Sequence, residues 1–188
     1  MARVSLKAGW RRPVWLGALI ALSLVFTLGF ACAAPLAALA AVGALTFGRH
    51  GAAGLVLAIW FANQFTGFAF LHYPLAFDTF AWGLALGCAA LLATLAAQWV
   101  KGRLRDWKGI VKSGAAFLAA FAAYEGALLA VAALSASGLQ NFAPAVILRI
   151  FAINAASFAV LLLFYRACFD TRVANSTKAG VRGHMHRA

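Results

Sequence analysis

The chain has 188 residues, 65% of them hydrophobic and 11% charged, with a formal net charge of +12. A soluble domain carries about 45–50% apolar and about 25% charged residues, so this chain has too little polar surface to cover a water-soluble globule. The basic residues lie in short blocks between apolar runs and form no basic face or aromatic-interleaved stripe, which argues against nucleic acid as a partner and reads as a topology signal.

Runs of about 20 apolar residues, long enough for a hydrocarbon core of about 30 Å, take up most of the length. The first, at 14–34, follows Arg3, Lys7, Arg11 and Arg12. It starts like a signal peptide but exceeds the roughly 7–15 apolar residues of one, and is read as a retained span. Pro35 then turns the chain, because proline disfavours helix in the residue before it. The Ala-rich second span, at 36–47, is short and ends at Gly48-Arg49-His50-Gly51. The third covers 52–72 and breaks at Tyr73-Pro74. The fourth covers 77–100 and leads into a loop with Lys101, Arg103, Arg105, Lys108 and Lys112. The fifth covers 115–136, the turn Ser137-Gly138-Leu139-Gln140-Asn141 follows, and the sixth covers 145–165.

The expected fold is all-α: a polytopic bundle of six transmembrane helices over residues 1–166, with a basic, disordered cytoplasmic tail at 167–188. If both termini are cytoplasmic, the cytoplasmic segments hold every Lys and Arg except Arg149, and the opposite turns hold none. A five-span arrangement would put the basic tail on the wrong side. The expected location is a bacterial-type inner membrane.

Small residues indicate how such helices pack, because lipid gives them no hydrophobic drive to associate. Gly83-x3-Gly87 continues through Ala90 and Thr94, and Gly17-x3-Ala21 and Ala33-x3-Ala37-x3-Ala41 form two further stripes. Such stripes serve packing within a bundle and docking of a partner membrane protein alike.

Three spans each carry a strong polar group at one level. Counted from the outer helix ends, Asn63, Glu125 and Asn154 all lie about 14 Å deep, near the midplane. Glu125 is the only acid buried deep in a span, and an ionisable group at that depth faces a cavity, the bundle interior or a partner charge. Arg149, about 6 Å deep, is either that partner or a side chain snorkelling to headgroups. Asn63, Thr66, Gly67 and Phe70 share one face of the third span and form a candidate cavity wall, with Gly67 leaving room for a ligand. The candidate solute-binding set is therefore Asn63, Thr66, Gly67, Phe70, Glu125, Arg149 and Asn154. Bland readings compete with it: Asn63 and Gln64 also suit interhelical hydrogen bonds, and His72 and Asp78 suit a wet turn. Tyr73, Phe77 and Trp82 read as interface anchors or as a lid, which Gln140, Asn141 and Phe142 would complete.

The chain has no HExxH, GxSxG, P-loop or dinucleotide-binding pattern, and it is not expected to be an enzyme. Cys32, Cys88 and Cys168 lie far apart without metal-site spacing, so neither a metal nor a cofactor is expected. With no nucleotide site, uptake would draw on an ion gradient or on partner subunits.

Six short spans, cytoplasmic termini, basic cytoplasmic loops and the stripes at Gly17-x3-Ala21 and Ala33-x3-Ala37-x3-Ala41 resemble the substrate-binding S component of energy-coupling-factor vitamin transporters. The likeness is one of architecture. It implies a vitamin-like solute taken from the outer face, a membrane partner met through the small-residue stripes, and borrowed ATPase subunits. The chain has no Met-His start and no clustered His, unlike the cobalt and nickel branch. The competing expectation is a non-transport scaffold or assembly subunit that docks a larger complex through Gly83-x3-Gly87. Alkaline phosphatase fused after Ser137 should be active and the same fusion after Lys108 inactive; the reverse result would invert this topology.

Overall fold

The computed structural model describes residues 11–30 and 34–169. Its α-helices are α1 (Arg11–Phe30), α2 (Leu36–Thr46), α3 (Arg49–Ala69), α4 (Phe77–Arg103), α5 (Gly109–Ser135) and α6 (Pro144–Phe169), with a 3-10 turn at Leu139–Phe142 before α6. The helices α3 to α6 are long and apolar enough to cross a membrane, which makes this a membrane protein. The expected tail lies outside the described residues from 170 onward, and α6 runs three residues past the expected boundary at 166.

The expectation of six full crossings is narrowed by α2. Its 11 residues rise only about 16 Å, roughly half of a hydrocarbon core. The apolar part of α1, Pro13–Phe26, is also shorter than the four long helices. The short helix is nevertheless the centre of the bundle. Every residue from Leu36 to Ala44 is buried, and α2 packs against α3, α4, α5 and α6. A helix that is apolar all round needs neighbours on every side. Its alanines, with Ala37, Ala38, Ala40 and Ala41 fully buried, let those neighbours come close. The Ala33-x3-Ala37-x3-Ala41 stripe is thus used inside the bundle at Ala37 and Ala41, whereas Gly17 and Ala21 on α1 face outward.

The deep start of α2 leaves backbone groups without water that must find partners, whereas its last carbonyls approach the exposed turn at residues 48–50. At the start of α2, the Ala38 N–H donates to Asn154 Oδ1 on α6 at 3.0 Å. At its end, Lys101 Nζ on α4 donates to the carbonyls of Ala44 at 2.7 Å and Leu45 at 3.2 Å, and reaches Phe47 at 3.5 Å. The cation also complements the negative end of the helix dipole. Thr46 Oγ1 donates to the Val42 carbonyl and accepts the indole N–H of Trp15 from α1.

The antiparallel pair α3–α4 closes through glycine. The Trp60 indole N–H donates to the Gly83 carbonyl at 2.7 Å, and a Cβ added at Gly87 would lie 2.8 Å from the same ring. The Gln64 amide occupies the space that a Cβ at Gly83 would need. The Gly83-x3-Gly87 stripe is therefore covered by α3. Between α5 and α6, aromatic rings set the spacing: Phe117 stacks on Phe158 with centroids 4.8 Å apart, and Phe121 meets Phe151 edge-on at 5.1 Å.

Replacing Lys101 with Met should keep the apolar stem but strip the α2 carbonyls of their donor. The expected cost is about 1–2 kcal/mol of resistance to unfolding in detergent, and an unchanged unfolding curve would contradict this role of the ammonium.

Candidate functional site

The stacked Phe117–Phe158 pair lies toward the half of the bundle that carries the basic loop. In the other half, α4, α5 and α6 enclose a cleft of about 740 Å³. Helical spacing explains which side chains reach it. Trp82 and Leu86 are one turn apart on α4; Tyr124, Glu125 and Leu128 share a face of α5; Ala145, Val146, Arg149, Ile150, Ile153 and Asn154 line successive turns of α6. Asn141 and Phe142 from the 3-10 turn border it on the side away from the basic loop, and Ala34, just before α2, borders it on the other.

The cleft exists because α2 begins deep. Asn154 lines the cleft and also caps α2 at Ala38, so the start of the short helix lies beneath the cavity. The Asn154 amide is committed at both ends, with Nδ2 donating to the Ile150 carbonyl at 3.0 Å. This places Asn154 in the floor as a positioning residue rather than as a free ligand group.

Glu125 is half-buried on one wall and Arg149 is exposed on the other. No hydrogen bond or ion pair joins either of them to another side chain among the described residues. Of the two readings of Arg149, direct pairing with Glu125 is not made, and an acid and a base face one cavity separately. The apolar lining comes from Trp82, Leu86, Leu128, Phe142, Val146, Ile150 and Ile153, and Tyr124 adds a buried phenol. Among the described residues, no three His, Cys, Asp or Glu side chains converge.

The structure brings together three of the seven expected site residues: Glu125, Arg149 and Asn154. Of the other four, Asn63, Thr66 and Gly67 lie on α3 and Phe70 is its C-cap; α3 packs on α1, α2 and α4 and does not line the cleft. Asn63 and Thr66 are buried, and the Asn63 Nδ2 donates to the Ile59 carbonyl of its own helix. The space at Gly67 is filled by the Tyr73 ring, where a ligand was expected. Phe70 is 64% exposed and meets Phe65 edge-on. Equal depth alone could not show that α2 stands between α3 and the α5–α6 pair.

His72, in the left-handed region at φ 55, and Asp78 are exposed. Trp82 and the 3-10 turn meet at the cleft: a Cβ at Gly138 would touch the Trp82 ring at 3.1 Å, and Gly138 itself turns at φ 80. Tyr124, Leu128 and Ile153 carried no signal of their own in an apolar background. The available clue was spacing: Leu128 is i+3 from Glu125 and Ile153 is i+4 from Arg149, whereas Tyr124 is only Glu125's chain neighbour.

No protein-family model, curated protein or solved structure matches this chain. In a cysteine-free background, Ile153→Cys and Leu128→Cys should react with a small methanethiosulfonate reagent, and Thr66→Cys, 6% exposed in the native chain, should not. Equal labelling at all three positions would mean that the cavity is not the one described.

Proposed function

We propose that this protein takes up a small polar, vitamin-like solute across a bacterial-type inner membrane, binding it in the α4–α5–α6 cleft from the outer face. One observation carries the reading: Glu125 and Arg149 reach one cleft from different helices, and that cleft lies away from the basic loop. Its volume of about 740 Å³ falls within the range of about 300–1,000 Å³ typical of small-molecule pockets. Apolar walls with a few convergent polar groups are the usual chemistry of such sites. Charges within a membrane normally mark a substrate or ion path.

The orientation follows the positive-inside rule: with both termini cytoplasmic, the cleft opens outward and the α4–α5 turn with its flanking Lys101, Arg103, Arg105, Lys108 and Lys112 lies on the cytoplasmic side. The chain supplies no nucleotide-binding motif, so the reading assigns energy coupling to partner ATPase subunits, as the likeness to S components implies. The outward-facing Gly17 and Ala21 on α1 suit a membrane partner, since nothing within 4 Å crowds a Cβ at Gly17. The scaffold alternative loses its docking stripe, because α3 covers Gly83 and Gly87.

Native mass spectrometry of detergent-purified protein should reveal a bound small molecule. Glu125→Gln and Trp82→Ala should reduce its occupancy about tenfold or more, with insertion unchanged. Asn63→Ala, outside the cleft, should retain it. Normal uptake by the Glu125→Gln and Trp82→Ala variants would sink the proposal.

A further inference from the structure

We infer that the cleft selects an extended zwitterion: a molecule with an ammonium group at one end, a carboxylate or phosphate at the other, and an apolar body between them. The inference rests on the uptake reading and narrows its substrate class.

The two charges differ in height. Glu125 stands ten residues before the end of α5 at Ser135, and Arg149 five residues after the start of α6 at Pro144. At 1.5 Å per residue these are depths of about 15 Å and about 8 Å, so the carboxylate lies about 7 Å deeper than the guanidinium's helical position. Neither group has an ion-pair or hydrogen-bond partner among the described residues. A half-buried acid without a partner is costly, and a ligand cation offsets that cost while its anionic end meets the exposed Arg149. Between the two levels the walls are apolar, with Leu128 on α5 and Ile150 and Ile153 on α6.

This arrangement sets the order of groups in the ligand. An ammonium fits the deep carboxylate. A planar carboxylate or a phosphate fits Arg149 nearer the mouth, because guanidinium binds such anions in bidentate fashion. Leu128, Ile150 and Ile153 take the body.

The test uses the full-length protein in nanodiscs and three probes of equal body size: para-aminomethylbenzoate, which carries both charges, benzylamine and para-toluate. Isothermal titration should show the zwitterion binding about tenfold or more tightly than either singly charged analogue, a comparison that needs no variant. Glu125→Gln should abolish the advantage over para-toluate alone. Arg149→Gln should abolish the advantage over benzylamine alone. Both variants should keep the wild-type Tm.

Equal affinity for the three probes, or variants that weaken all three alike, would overturn the inference. Discovery of a co-purified solute with one charge or none would also overturn it, while leaving the uptake reading standing. A co-purified extended zwitterion would support it. If neither a probe nor any solute occupies the cleft, both readings fall.

Discussion

Backbone amides that end inside a hydrocarbon layer must find partners within the protein, and α2 is where this chain meets that constraint. Its 11 residues stop well short of a bilayer's thickness. Asn154 of α6 accepts from one end and Lys101 of α4 donates to the other, so two long helices are tied to the ends of the short one. No buried side-chain nitrogen or oxygen lacks a hydrogen bond among the described residues. The lysine is well suited to its place: an ammonium with three donors on a flexible stem can serve several carbonyls, and its charge opposes the dipole end.

The cleft follows from the same helix. Because α2 starts beneath Asn154, it fills the space between its neighbours in the half with the basic loop and leaves space between α4, α5 and α6 in the other half. Stacked phenylalanines set the α5–α6 distance where the bundle is filled. The Trp82 ring against Gly138 brings α4 to the turn before α6. Glu125 and Arg149 thus owe their shared cavity to side chains that carry no charge. The proposed solute site is a by-product of a packing arrangement in which one helix is too short.

Several features were legible in the chain before folding was considered. Hydropathy marked the spans, and Pro35, Gly48 and Tyr73-Pro74 marked the turns close to the observed helix ends. Glu125 stood out because an acid is rare in such surroundings. The small-residue stripes were recognisable, but their use was not: Gly83 and Gly87 meet Trp60 and Gln64, Ala37 and Ala41 are enclosed, and Gly17 and Ala21 remain outside. Each stripe looks the same in one dimension, since small residues allow close approach without naming what approaches. The face of Asn63, Thr66, Gly67 and Phe70 does not line the α4–α5–α6 cleft, for a related reason. Depth is additive along a helix and can be counted, whereas azimuth depends on which neighbours surround it.

By itself, the sequence determined membrane residence, an all-helical build and where the main turns fall. These depend on local hydropathy, turn residues and a constant rise per residue. Tertiary structure decided that α2 is the buried centre, that Lys101 and Asn154 hold its ends, that Tyr73 fills the space at Gly67, and that Glu125 faces the same cleft as Arg149 without pairing. Those outcomes depend on the order of helices around the bundle, and that order is set by long-range packing between residues as distant as Ala38 and Asn154.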